Sequence, residues 1–157
     1  MKADDRSAAG LDKIDQKILA ELSNDGRISN AELANRVSLS PSACLRRVQA
    51  LEESGIILGY RAVLDRTKLG GDFLAYVAVR LSSHNKDSQA NFEQQMADEP
   101  AVLECHNVTG TIEYLLRVEV SDLKAYKQFH TEVLGTVQGV AGITSYIVMG
   151  SPIDKRG

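Results

Sequence analysis

Two cysteines and no long apolar run set the first limits on this chain. Cys44 and Cys105 lie far apart and in no Cys-x-x-Cys pair, so neither a disulfide framework nor a zinc site is expected, and both read as small packing residues. The longest apolar runs fall well short of the ~20 residues a membrane-spanning helix needs. The opening MKADDRSAAG lacks the apolar core of a signal peptide. The expectation is a soluble, cytoplasmic protein with no membrane association. A surplus of basic charge is missing too: the net charge is −3, which excludes coating nucleic acid by bulk electrostatics. No nucleophile elbow, phosphate loop, metal cluster or paired-carboxylate pattern appears, so no catalytic residue, metal or cofactor is expected.

The charge deficit is uneven. Residues 1–66 carry ten Lys and Arg against ten Asp and Glu, while residues 67–157 carry eight against eleven. Between Arg27 and Arg66 six arginines face four acids, a mild basic bias compatible with a DNA-facing surface. With 157 residues, 43% of them hydrophobic and 25% charged, the chain suits one ordinary globular domain or two small ones.

The first half has helical periodicity. In LDKIDQKILAELSNDG, Asp12 is placed to cap a helix, Ile14, Ile18, Leu19 and Leu22 form its apolar stripe, and Asp25-Gly26 breaks it. SNAELANRV offers a second helix, with Ser29 and Glu32 as a capping box and Leu33, Ala34 and Val37 inside. The third is SLSPSACLRRVQALEESG: Ser40 as N-cap, Pro41 at the first helical position, Gly55 as the left-handed stop, and Cys44, Leu45, Val48 and Leu51 as the buried stripe. Only Ser38, Leu39 and Ser40 separate the last two helices, the tight connection of a helix-turn-helix, whose final helix enters the major groove. Its other face carries Ser42, Ala43, Arg46 and Gln49, short or donor-rich groups suited to base edges. Arg46 has the reach for a bidentate guanine contact. Arg47 holds either a phosphate or an acidic neighbour within the domain. The contact set for DNA is completed by Ser40 at the helix start and by Arg27, Arg36 and Arg61 on phosphates. After Gly55, IILGYRAVLD is β-branched and apolar, as a short strand would be.

From Asp72 the period changes to two. FLAYVAVRL is a strand with Phe73, Ala75, Val77, Val79 and Leu81 on one side. A helix from Ser88 to before Pro100 follows, then strands VLECHNVT and EYLLRVEV joined through Gly110, a helix DLKAYKQFHTEVL capped by Asp122 and ended by Gly135, and a final strand GITSYIVM. The order βαββαβ is the ferredoxin-like unit, with both helices on one face of an antiparallel sheet. Leu74, Tyr76, Leu115 and Tyr146 alternate with the core set and would lie on the uncovered face, which predicts a homodimer through this half. His84 reads as a loop residue and His130 as a helix-surface residue.

Taken together, LDKIDQKIL, DGRISNAELA, LSPSACLRRVQALEESGII, GY, VTGTIEYLL and the final GI strand, at these spacings, resemble the Lrp/AsnC, or feast/famine, family of transcriptional regulators over about residues 11–149. The resemblance implies an α+β chain: a winged helix-turn-helix at 11–58, a linking strand and hinge at 59–71, and a ferredoxin-like RAM/ACT-like domain at 72–150. Tails at 1–10, expected to be flexible, and at 151–157 flank them. It also implies double-stranded DNA as partner, an amino-acid effector, and dimers that assemble to tetramers or octamers. The family's effector site, at a contact between dimers, maps onto His106, Thr109, Gly110, Thr111, Ile112, Glu113 and Tyr114, with Thr136, Val137 and Gly139 approaching from the neighbouring dimer. The mapping has a chemical basis: loop amides at Gly110 and Thr111 can take an α-carboxylate, and Glu113 can accept an ammonium. The family usually has Asp at the latter position, and usually Gly where Ser38 stands. Two other functions share the architecture. Sirohaem decarboxylases resemble the same two-domain chain and bind a tetrapyrrole, and an effector-binding module without DNA binding would keep the second half alone. The groove-compatible face with Arg46 and Gln49 favours the regulator.

Overall fold

The computed structural model describes residues 10–154, so residues 1–9 and 155–157 of the two expected tails lie outside the described residues. The chain divides between residues 62 and 63 into two compact units.

The first unit contains α1 (Lys13–Asn24), α2 (Asn30–Arg36) and α3 (Pro41–Glu53). α1 opens with a capping box: the Asp12 carboxylate accepts from the amides of Ile14 and Asp15, and the Asp15 carboxylate accepts from the amide of Asp12. At α2 only half of the expected box forms. Ser29 Oγ accepts from the Glu32 amide, while the Glu32 carboxylate turns to Arg36 one helical turn on. The turn between α2 and α3 is a Schellman motif: the Ser38 amide donates to Asn35 O (3.2 Å) and the Leu39 amide to Ala34 O (2.9 Å). Ser38 therefore sits at φ 58°, in the left-handed region, where a side chain costs about 1–2 kcal/mol. α3 ends in the same motif with Gly55, at φ 74°, in that position, and there the conformation is free of this cost.

Ile18, Leu33, Ala34, Val37, Cys44 and Leu51 form the core of this unit, with Ile14, Leu19, Leu22 and Val48 packed around them. Leu45 does not join them. It follows Cys44 by one residue, about 100° around the helix, and is 47% exposed. The strand expected in IILGYRAVLD does not form either: residues 58–65 have neither helix nor strand, and Leu58 is 95% exposed. A β-branched composition supplies the side chains of a strand but not the neighbour whose hydrogen bonds define one, and among the described residues none pairs with it.

The second unit begins with a 3-10 turn at Thr67–Leu69 and contains β1 (Phe73–Leu81), α4 (Lys86–Ala97), β2 (Val102–Asn107), β3 (Tyr114–Val120), α5 (Leu123–Gln128) and β4 (Val140–Ile147). The strands lie in the order β2-β3-β1-β4 with every pair antiparallel, so β1 and β3 are central. One face meets the helices: Ala75, Val77, Val79 and Leu81 of β1 and Tyr114, Leu116 and Val118 of β3 pack on Phe92, Met96, Tyr126 and Phe129. α4 starts earlier than expected. Asn85 is its cap, and Ser88, read as the start, is the residue whose amide Asn85 accepts from at 2.8 Å. The last helix does not stay regular to Gly135: α5 widens into a π turn over Phe129–Val133 and tightens into a 3-10 turn over Leu134–Thr136. Thr131 and Thr136 each donate their hydroxyl to two carbonyls of the preceding turn, the local competition that distorts a helix. Cys44 is buried as expected, but Cys105 is exposed on the edge strand β2.

Among the described residues of this unit no helix packs on the other face of the sheet. Tyr76 is opposite Tyr146, Ala78 opposite Leu115, and Glu104 opposite Arg117. Tyr146 is 59% exposed there.

Candidate DNA-reading and effector sites

The tight turn fixes how α3 is presented. Ser40 Oγ accepts from the Ala43 amide, and the Asn30 side chain donates to Pro41 O at 2.8 Å, tying the start of α2 to the start of α3. With Cys44, Val48 and Leu51 turned inward, Ser42, Arg46 and Gln49 are exposed and Ala43 is half-buried beside them. The two adjacent arginines divide their tasks. Arg47 Nη1 lies 2.7 Å from both Asp12 Oδ2 and Asp15 Oδ1, so it joins α3 to the cap of α1. The hydrogen bonds to Asp15 and then Asp12 hold its guanidinium charged above its ordinary range. The Asp15 amide, and after it Arg47, holds the Asp12 carboxyl below its usual value. Arg36 is engaged in the same manner, with Glu21 at 2.9 Å and Glu32 at 3.1 Å. Arg36 was expected on phosphate and Arg47 on either a phosphate or an acidic neighbour; within the bundle both meet carboxylates. Arg27, Arg46 and Arg61 are exposed and have no ion pair among the described residues.

In the second unit, Thr109, Gly110 and Thr111 lie exposed on the loop between β2 and β3, with Ile112 half-buried and Gly110 at φ 136°. Glu113 closes this loop. Its carbonyl accepts from the Val108 amide and its amide donates to Val79 O. Its side chain is buried rather than solvated: Oε2 accepts from the Leu81 amide at 2.6 Å, and Oε1 faces His84 Nδ1 at 3.1 Å. Sequence spacing gave no sign of this histidine, 29 positions away; the closing of β1 on β3 brings it there. Three of the expected effector residues lie elsewhere. Tyr114 points into the helix-side core, its hydroxyl donating to Glu93 at 2.7 Å and its pKa pushed up to about 12 by burial and by Glu93. Val137 is a core residue. His106 lies on the helix-free sheet face, 3.2 Å from Glu104, which also meets Arg117 at 3.6 Å. Thr136 is exposed, and Gly139 O accepts from the Ser82 amide. Among the described residues no group of three or more His, Cys, Asp or Glu is arranged to hold a metal ion, and no helix is long and apolar enough to cross a membrane.

Comparison with known proteins joins the two units. Residues 11–57 match the winged helix-turn-helix DNA-binding family, and residues 74–157 match the Lrp/AsnC ligand binding domain. The Bkd operon transcriptional regulator of Pseudomonas aeruginosa is 46% identical, over 91% of this chain and 94% of its own. The chain belongs to the Lrp/AsnC family. The leucine-responsive regulatory protein of Escherichia coli K12, another Lrp/AsnC relative, is 41% identical over 92% of this chain and 88% of its own. Among solved structures, a transcriptional regulator from Neisseria meningitidis in complex with L-Met has a TM-score of 0.88 at 36% identity, covering 92% of this chain and 93% of that one. An AsnC family regulator from Agrobacterium tumefaciens reaches the same TM-score at 31% identity, covering 94% and 95%. This Lrp/AsnC chain is thus a DNA-binding transcriptional regulator: a winged helix-turn-helix followed by a ferredoxin-like effector-binding domain.

Proposed function

We propose that α3 reads base edges in the major groove with Ser42, Ala43, Arg46 and Gln49, while Arg27, Arg61 and the start of the helix at Ser40 engage phosphates. The observation that carries this assignment is the contrast between two neighbours: Arg47 is neutralised by Asp12 and Asp15, whereas Arg46 is exposed with no ion partner among the described residues. Arg36 and Arg47 then act on DNA only by holding the bundle that presents α3. The effector is an amino acid. Support comes from the names of two relatives, one leucine-responsive and one solved with L-Met, and from the chemistry of the β2–β3 loop. Gly110 and Thr111 are exposed, and their amides serve as donors for an α-carboxylate with Glu113 as acceptor for the ammonium. Thr136 and Gly139 approach from a neighbouring dimer.

Dimers form through the helix-free face of the sheet and associate further, to tetramers or octamers. Two copies related by a two-fold axis would present two α3 helices to a single duplex, so the preferred DNA site should be a pseudo-palindrome with half-sites a whole number of helical turns apart. Selection of binding sites from a random duplex pool tests this. Recovery of such a symmetric consensus supports the assignment, and retention of duplexes without any common sequence refutes base reading.

A further inference from the structure

The two oxygens of Glu113 have close nitrogen partners of different kinds. Oε2 takes the Leu81 amide, a main-chain donor fixed by the end of β1. Oε1 takes His84, a side chain on the β1–α4 loop that lies outside any helix or strand. The carboxylate is only 11% exposed, while the imidazole over it is 73% exposed. His84 is thus an exposed neighbour of one oxygen of a nearly enclosed carboxylate, and the Leu81 amide engages the other. Among the described residues Glu113 is the one ion-pair partner of His84.

We propose that His84 is a removable stand-in for the effector's α-ammonium: it holds the oxygen of Glu113 that an amino acid needs, and it leaves when the amino acid binds. This rests on the reading of Glu113 as the ammonium acceptor. An imidazole N–H and an ammonium N–H are the same kind of donor to a carboxylate, so one replaces the other without leaving the buried charge unpaired. A side chain on an exposed loop swings away at small cost. The empty site is therefore kept satisfied, and apparent affinity is lowered by the fraction of molecules in which Oε1 is free.

Calorimetric titration of the full-length protein with each of the twenty standard amino acids tests the proposal, using wild type, His84→Ala, His84→Gln and Glu113→Gln. The last substitution keeps an oxygen for the Leu81 amide while removing the charge. Release of this one close polar contact should make the amino acid that binds do so about two- to tenfold more tightly to His84→Ala than to wild type. His84→Gln, which restores a donor, should return toward wild type, and Glu113→Gln should not bind. The N-acetyl derivative, which lacks the ammonium, should gain nothing from His84→Ala. Equal or weaker binding to His84→Ala, or an equal gain for the N-acetyl derivative, overturns the stand-in while loss of binding in Glu113→Gln still upholds the acceptor. Binding retained by Glu113→Gln, or no amino acid bound by wild type or His84→Ala, overturns both.

Discussion

Arg46→Ala and Arg47→Ala, one position apart on α3, are expected to fail in different assays. Arg46 has no ion partner among the described residues, so its truncation should leave stability within the ~0.5 kcal/mol scatter of surface substitutions. On the selected DNA site it removes a bidentate contact to a guanine edge, about 1–3 kcal/mol, or about 5- to 150-fold in Kd. On random DNA it removes one positive charge near the phosphates, so affinity falls less and the salt slope changes by at most about one counterion. Arg47→Ala instead leaves Asp12 and Asp15, each 2.7 Å from the lost guanidinium, facing one another without their cation. Its melting temperature should fall, and binding to both DNAs should fall in equal proportion. The acid limb of stability gives a second readout. Because the folded Asp12 pKa is lowered from 3.8, its contribution is complete above about pH 4 and disappears as pH falls through the lowered value. Arg47→Ala should therefore lose less on acidification than wild type does. The assays are fluorescence anisotropy on selected and random duplexes at two salt concentrations, with melting curves from pH 7 to pH 3. Equal losses on both DNAs for Arg46→Ala, or a site-specific loss at full stability for Arg47→Ala, would refute the division of tasks.

Three further outcomes are expected. Ser38→Gly removes a left-handed side chain at φ 58°; after glycine's own entropy cost the gain should be about 0.5–1 kcal/mol in urea unfolding, and a loss would contradict the strain. Of the five tyrosines, Tyr114 should ionise at about 12, so the stability its neutral form contributes is complete below pH 10 and lost between about 10 and 12. Ultraviolet titration at alkaline pH should show that late step and its absence in Tyr114→Phe; an unchanged late step in the variant would exclude the assignment. Tyr146→Glu puts a charge on the helix-free sheet face and should yield monomers in sedimentation velocity, whereas an intact dimer would place the interface elsewhere.

The sequence disclosed local structure well wherever one short stretch held both the cause and the effect. Asp12, Ser29, Ser40, Asp122 and Gly55 mark their helix ends because a cap and the amide it serves are two or three residues apart. The alternation in Phe73–Leu81 exposed the sheet's two faces because a strand's period is independent of its neighbours. Where two caps compete, as Asn85 and Ser88 do three residues apart, composition does not choose between them. Sites were less legible than elements. Which arginine meets a carboxylate is decided by packing: Arg47 finds its partners 35 and 32 positions away, and no spacing announces them. The buried Glu113, its histidine, and the inward Tyr114 likewise depend on strand register. A loop sequence describes the exposed Thr109, Gly110 and Thr111 adequately, but not the side chains that fold over it.

Coupling between the two units is the most direct test of this chain as an amino-acid-responsive regulator. The measurement is the Kd for its selected DNA site at fixed salt, with and without saturating amino acid, alongside the Kd for that amino acid with and without DNA. At least one amino acid should shift DNA affinity, DNA should shift its affinity by the same factor, and Glu113→Gln should remove the shift while binding DNA as wild type does without effector. DNA affinity indifferent to all twenty amino acids would contradict the account.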